Sequence, residues 1–174
     1  KSGERQNGKE RGISMTHKIK MIGLDLDGTL LTDKKELTVR TREVLAKAIR
    51  SGIVVLVATG RPWMGVPEEL REFPGMNYAL TSNGARIIDT RTGNVIEEHL
   101  LSVKSAKKAL EICRKYDTLQ EVYFDGQGYA PAEKMEIGER YHKNPNMWEY
   151  MRKTRIPVDD IFELVDRENR GLDK

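Results

Sequence analysis

Six consecutive apolar residues at positions 53–58 limit the possible folds of this chain more than any other feature. Four of the six are β-branched, and an apolar run without polar alternation is typical of a strand covered on both faces of a parallel sheet. An amphipathic pattern precedes this run, from Thr38, a candidate N-cap, to the Ser51-Gly52 stop signal, and predicts a helix. A shorter apolar run at 19–24 comes before that helix. Strand, helix and strand in this order predict a βαβ unit.

The next elements extend this unit into a larger sheet. A third strand is predicted at 78–81, after a helical stretch from Pro62 to about Phe73. Three strands with intervening helices indicate a doubly wound α/β fold with a parallel sheet. We therefore expect residues 19–84 to form the first part of an α/β core.

The pattern changes after Gly84. Two short strand-like segments that flank turn residues predict a hairpin, and a capped helix and another strand follow it, at 86–89, 94–97, 102–116 and 119–124. Farther along, the residues predict a helix at 133–142, a break at Asn144-Pro145-Asn146 and a short helix capped by Asp159 or Asp160. This alternation is typical of an α+β module, so we predict a boundary near Gly84 and a second module at 85–174.

Composition excludes several classes of protein. The single cysteine, Cys113, cannot form an internal disulfide or a Cys/His zinc site, and a reducing cytoplasm is the expected setting. No apolar run approaches the length of a membrane-spanning helix, so no association with a membrane is expected.

The net charge of +3 comes from the first 18 residues. This segment has five Lys or Arg against two Asp or Glu and almost no apolar residues, so we expect residues 1–18 to be a disordered leader. The rest of the chain has 25 charges of each sign. Without a basic excess to bind phosphate backbones, no nucleic-acid partner is expected.

Two carboxylates at the end of the first strand are the strongest chemical signal. Asp25 and Asp27 are two residues apart, so strand periodicity places both on one side of the chain. Like charges this close repel each other, unless a cation neutralises them or one carries a proton. The carboxyl ends of strands are also where open α/β sheets bind ligands. The alternative interpretation is an ordinary Asp-Gly turn after a strand.

Three segments together resemble one enzyme family. The sequence Asp25-Leu26-Asp27-Gly28-Thr29 at the end of the first strand resembles the signature of the haloacid dehalogenase superfamily of phosphohydrolases. The segment 57–62 (Val-Ala-Thr-Gly-Arg-Pro) ends the next strand with a hydroxyl and a glycine and resembles the position where that superfamily places its phosphate-binding Thr or Ser. The segment 81–85 (Thr-Ser-Asn-Gly-Ala), after the third strand, resembles the Cof-type branch, subclass IIB, whose cap domain is inserted at this point. The resemblance implies a Rossmann-like core with an inserted α+β cap domain.

The resemblance also implies roles for individual residues. Asp25 would be the nucleophile that forms an aspartyl-phosphate, and Asp27 the protonated general acid and later the base. Both would bind Mg²⁺, Asp27 through its backbone carbonyl. Leu26 through its backbone, Thr59 through its hydroxyl and Gly60 through its N–H would hold the phosphoryl oxygens. The implied function is a Mg²⁺-dependent phosphatase of small phosphorylated metabolites, with sugar phosphates as the expected substrates.

Two further parts of the family's site are missing from the sequence. The resemblance implies a lysine beside the phosphate and an acidic Gly-Asp motif after the cap, and neither is found. We interpret the chain as an N-terminal fragment with a partial core and a partial cap. Two alternatives stay open: a phosphomutase of the same superfamily, and a catalytically incomplete domain. The sequence does not predict an oligomeric state, and it leaves Arg61 as a candidate surface ion pair and Asn83-Gly84 as a common turn.

Overall fold

The computed structural model of the chain describes residues 18–174 and contains two β-sheets with helices packed against them. The first sheet has five strands in spatial order β1 to β5: Met21–Leu24, Val54–Ala58, Tyr78–Thr81, Arg86–Asp89 and Val95–Glu98. Its first three strands are parallel, and β4 and β5 are added antiparallel. The second sheet has three strands, β6 to β8: Val122–Phe124, Gln127–Pro131 and Arg155–Val158.

Six α-helices accompany these strands in the described part of the chain. They are α1 to α6: Val39–Arg50, Glu68–Arg71, Val103–Cys113, Ala132–Glu136, Pro145–Thr154 and Ile161–Glu168. Single 3-10 turns occur at Trp63–Gly65, Ser82–Gly84 and Gly138–Arg140. Within residues 18–174, none of the helices combines the length and the apolar character needed to cross a bilayer.

The predicted βαβ unit and α/β class are confirmed. Thr38 caps α1, because its hydroxyl accepts a hydrogen bond from the Thr41 N–H at 3.1 Å. Strand β2 lies between β1 and β3, and its Val55 and Val57 side chains are almost completely buried beside Leu45 of α1. The apolar run that constrained the fold is therefore the centre of the parallel part of the sheet.

The helix expected between positions 62 and 73 is shorter than predicted. It is split into a 3-10 turn and the four-residue α2. Pro67 explains the split, because a proline disfavours the helical conformation in the residue before it. Val66 accordingly has an extended backbone (φ −75°, ψ 130°).

The segment 144–146, predicted as a break, instead begins a helix. The Asn144 side chain accepts a hydrogen bond from the Asn146 N–H at 3.0 Å, and Pro145 occupies the first turn of α5, where its missing N–H is tolerated. The expectation at Asp159 or Asp160 is confirmed, because the Asp160 carboxylate caps α6. The prediction of a break was therefore wrong, because an asparagine followed by a proline here begins a helix.

The hairpin β4–β5 belongs to the first sheet, since β4 pairs along the whole of β3. The module that follows has its own core, formed by residues of α3, α6 and the second sheet. Sheet membership therefore favours a boundary after Glu98, and we propose that position in place of Gly84. The predicted leader, residues 1–18, lies outside the described residues apart from Lys18.

Candidate active site

The carboxyl ends of the three parallel strands bring the predicted site residues to one edge of the sheet. Asp25 follows β1, Thr59 follows β2, and Ser82 follows β3. The strands are in register up to these positions, with Leu24 paired to Val57. Because neighbouring strands lie about 4.8 Å apart, polar groups from separate parts of the sequence become neighbours here.

Asp25 and Leu26 differ completely in exposure. The Asp25 side chain is exposed and forms no hydrogen bond or ion pair with any residue between 18 and 174. Leu26 is fully buried, and its carbonyl accepts hydrogen bonds from the Leu30 and Leu31 N–H groups at 3.1 and 2.9 Å. This turn passes through Gly28, whose φ of +74° is readily adopted only by glycine. The buried leucine therefore anchors the loop that presents Asp25 to solvent.

Asp27 is held by two basic side chains. Arg61 binds it in a bidentate manner, with Nε to Oδ2 and Nη2 to Oδ1 both at 2.8 Å. Lys35 adds a third contact, from Nζ to Oδ1 at 2.6 Å. Sequence reasoning missed both partners. Arg61 and Asp27 are 34 positions apart in the sequence, and no periodic signal joins them.

This arrangement fixes the charge of Asp27. The hydrogen bond from Arg61 is the largest cause that lowers its pKa, to about 2; partial burial acts in the opposite direction and Lys35 lowers the pKa further. Asp27 is consequently ionised at neutral pH while Arg61 holds it. The sequence analysis expected Asp27 to carry a proton, and that state requires the carboxylate to leave the guanidinium.

Thr59 and Gly60 follow β2, the strand that lies between β1 and β3, so they occupy the middle of this edge of the sheet. Thr59 is buried; its N–H donates to the Leu80 carbonyl at 2.9 Å, and its hydroxyl accepts from the Arg61 N–H at 3.2 Å. Gly60 is exposed, and a Cβ at this position would lie only 2.6 Å from Oδ1 of Asn83. A glycine is therefore required at position 60 while Asn83 keeps its place.

Arg61 is not the surface ion pair that was considered from the sequence. It is only 6% exposed, and its Nη1 donates to the Gly65 carbonyl at 2.9 Å. Its guanidinium also lies 4.1 Å from the centre of the Tyr150 ring, on α5. Arg61 thus joins Asp27 to the second module.

A crevice of about 630 Å³ lies beside this contact. It is bounded by α5 and by the segments 34–36 and 64–68, and Arg61 forms part of its wall. Most of the residues that line the crevice are charged or polar, and its size is within the range of sites for small molecules.

The described residues supply only part of a metal site. Between residues 18 and 174, no three His, Cys, Asp or Glu side chains are placed to hold one ion together. The free carboxylate of Asp25 and the backbone carbonyl of Asp27 are oxygen donors of the kind that Mg²⁺ prefers, whereas the Asp27 carboxylate is occupied by Arg61 and Lys35. The donors fit Mg²⁺ in chemical type, and further ligands are needed for a complete shell.

Comparison with known proteins places these features in a family. Residues 22–172 match the family model of the haloacid dehalogenase-like hydrolases. The chain is 30% identical over 100 residues to 5-amino-6-(5-phospho-D-ribitylamino)uracil phosphatase YcsE of Bacillus subtilis, covering 58% of this chain and 40% of that protein. It is 30% identical over 106 residues to pyridoxal phosphate phosphatase YbhA of Escherichia coli, covering 61% of this chain and 39% of that protein.

The fold is also similar to a solved structure, that of a haloacid dehalogenase subclass IIB sugar phosphatase. The TM-score is 0.67 at 20% identity, with 88% of this chain and 56% of the other covered. At this identity the likeness concerns the fold alone. The chain spans less than half the length of the two curated relatives and somewhat more than half of the solved structure.

Proposed function

Because the chain belongs to the haloacid dehalogenase-like hydrolases, we propose that it is a phosphatase that transfers the phosphoryl group of a small metabolite to Asp25 and then to water. One observation carries the proposal. The exposed carboxylate of Asp25, to which no residue between 18 and 174 is bound, stands at the carboxyl edge of the parallel strands, beside a buried threonine and an exposed glycine. These groups match the needs of a nucleophile and of an oxyanion subsite.

In the first step, an oxygen of the Asp25 carboxylate attacks phosphorus and the ester P–O bond breaks. The carboxylate is suited to this step because none of the described residues binds it. The N–H of Gly60 and the hydroxyl of Thr59 would donate to the equatorial phosphoryl oxygens, with the backbone of Leu26 on the other side. The product of this step is an aspartyl-phosphate.

Asp27 would move the protons. It gives a proton to the leaving alkoxide, and in the second step it accepts one from the water that attacks the aspartyl-phosphate. Inorganic phosphate is released and the Asp25 carboxylate is restored. Since Arg61 keeps Asp27 ionised, the acid form requires the side chain to turn away from Arg61 and Lys35 when substrate binds.

Mg²⁺ is the proposed cofactor, bound by the Asp25 carboxylate and the Asp27 carbonyl. When bound, the ion neutralises the repulsion between an anionic carboxylate and an anionic phosphoryl group. The Asp27 side chain takes no part in binding it.

Sugar phosphates are the proposed substrate class. The two curated relatives act, by their names, on small phosphorylated metabolites. The polar crevice beside Arg61 has room for a sugar as the leaving group. A small phosphorylated metabolite is therefore the expected partner of this chain.

The test is phosphate release from a panel of sugar phosphates, with and without Mg²⁺. We expect turnover that requires Mg²⁺ and that falls to the uncatalysed rate in Asp25→Asn, because the amide is a poor nucleophile. Asp27→Asn should lower kcat by about 10²- to 10⁴-fold. The matched control is Asp159→Asn, an exposed aspartate in the second module, which should keep full activity. Folded protein without turnover would contradict the proposal and favour a catalytically incomplete domain.

A further inference from the structure

The loop after β3 is held in an unusual backbone conformation. Ser82, Asn83 and Gly84 have φ values of +50°, +59° and +94°, so three successive residues are left-handed. Residues with a Cβ adopt this conformation at a cost in free energy, and such strain concentrates at ligand sites.

A second observation concerns Ser82 itself. Its side chain is 96% buried, as only 4% is exposed, and its Oγ has no hydrogen-bond partner among the described residues. Nearly all buried polar atoms in proteins are paired, so an unpaired hydroxyl needs an explanation. Its N–H donates to the Arg61 carbonyl at 2.9 Å, which places the residue beside the candidate active site.

The strained loop brings Asn83 against the phosphoryl subsite. Its N–H donates to the Thr59 carbonyl at 3.1 Å. Its carboxamide lies over Gly60, with Oδ1 at 2.6 Å and Nδ2 at 4.0 Å from the position that a Cβ of Gly60 would occupy. Asn83 and Gly60 are both exposed. The carboxamide is therefore accessible to a ligand at the edge of the sheet where Asp25 also lies.

We propose that Asn83 is a substrate-contacting residue, whose Nδ2 donates a hydrogen bond to the phosphoryl oxygen held by the Gly60 N–H. This inference rests on the proposed function, because it assigns one more residue to the same subsite. Phosphoryl oxygens are acceptors, and a carboxamide supplies a donor without adding charge beside Asp25 and Asp27. The strained backbone of residues 82–84 is then the means by which the carboxamide is held over Gly60.

A purely structural explanation makes a different prediction. Asparagine tolerates the left-handed conformation better than most residues, so Asn83 could serve the turn alone. Glycine tolerates that conformation better still. Asn83→Gly therefore keeps the turn and removes only the carboxamide, and Asn83→Asp keeps the shape and replaces a donor with a negative charge.

The experiment follows the Gly60 amide of this chain by ¹H–¹⁵N NMR while inorganic phosphate is added in the presence of Mg²⁺. We expect Asn83→Gly to weaken phosphate binding about tenfold, because a hydrogen bond to a charged ligand is lost. Asn83→Asp should weaken it more. The matched controls are Asn169→Gly and Asn169→Asp, since Asn169 is also exposed and left-handed (φ +44°) but caps α6 in the second module. Both controls should bind phosphate as the unmodified chain does.

Thr59→Val separates this inference from the proposed function, because it removes a hydroxyl assigned to the subsite. If Thr59→Val weakens phosphate binding and Asn83→Gly does not, the role of Asn83 is wrong and the phosphatase proposal stands. If phosphate does not shift the Gly60 amide in the unmodified chain, both are wrong. Loss of binding in both Asn83 variants, with melting temperatures equal to those of the Asn169 controls, supports the inference.

Discussion

Arg61 and Arg86 are two of the buried arginines that hold carboxylates in the described part of the chain, and they differ in the exposure of the carboxylate that Nε contacts. The Asp27 side chain that Arg61 binds is 33% exposed. Arg86 of β4 binds Asp173 from Nε to Oδ1 at 2.6 Å, and the Asp173 side chain is fully buried. Glu98 and Asp125 also contact Arg86, at 3.2 and 2.9 Å, but their side chains are about half exposed, so only the Arg86–Asp173 pair is closed to solvent.

The Arg86–Asp173 pair joins β4 of the first sheet to residues near the end of the second module. Glu98 ends β5, and Leu101 and Leu172 exchange backbone hydrogen bonds. The second oxygen of Asp173 accepts a hydrogen bond from the Gly126 N–H at 2.6 Å, so both oxygens of this buried carboxylate have partners. A buried arginine paired with carboxylates is thus not in itself a mark of catalysis. The open Asp27, beside the unpaired Asp25, is what distinguishes the candidate site.

The largest effect on stability is expected from breaking the buried Arg86–Asp173 pair. Arg86→Ala leaves the buried Asp173 carboxylate without its cation, and we expect a loss of about 3–5 kcal/mol in the free energy of unfolding. Urea denaturation measures this. Arg91→Ala serves as the control, because that arginine is 55% exposed and solvent screens its pair with Asp89, so its loss should change stability little. Equal losses in the two variants would contradict the distinction between closed and exposed pairs.

Removal of the other arginine should cost less. In Arg61→Ala, water can reach the partly exposed Asp27, so we expect a loss of about 1–3 kcal/mol in the same measurement. Arg61→Lys should restore little of it, because a lysine cannot form the bidentate contact. A loss as large as that of Arg86→Ala would contradict the partial exposure of Asp27 to solvent.

The smallest of the three effects on stability is expected when the pH is lowered and Asp27 takes up a proton. The pKa of Asp27 is lowered from 3.8 to about 2 in the folded chain, so its ionised pair stabilises the fold above about pH 4 and stops doing so as the pH falls toward 2. The stability of the unmodified chain should therefore decrease more between pH 4 and 2 than that of Asp27→Asn. The difference is expected to stay below about 1 kcal/mol because solvent screens a partly exposed pair. Parallel curves would mean that Asp27 is not held by Arg61 in solution.

Local patterns were enough to predict the strands that carry the site. The uninterrupted apolar run at 53–58 and the shorter one at 19–24 identified parallel strands, and parallel strands bring their carboxyl ends together. The placement of Asp25 and Thr59 at one edge therefore follows from the sequence.

Contacts between residues far apart in the sequence could not be predicted from local patterns. Nothing around Arg61 in the sequence indicates that its partner is Asp27, or that Tyr150 on a distant helix stacks on it. The strand β8 was missed for a similar reason. It is short, contains Pro157 and leaves Ile156 exposed, so it has neither the apolar run nor the alternation of a predictable strand.

The most direct test of the account asks where the phosphoryl group goes. The chain is mixed with a ³²P-labelled sugar phosphate that it hydrolyses, quenched in acid within one turnover, digested and mapped by peptide. The account predicts label on the peptide that contains Asp25, and none in Asp25→Asn. Turnover without labelled protein, or label on a peptide that lacks Asp25, would contradict the central claim.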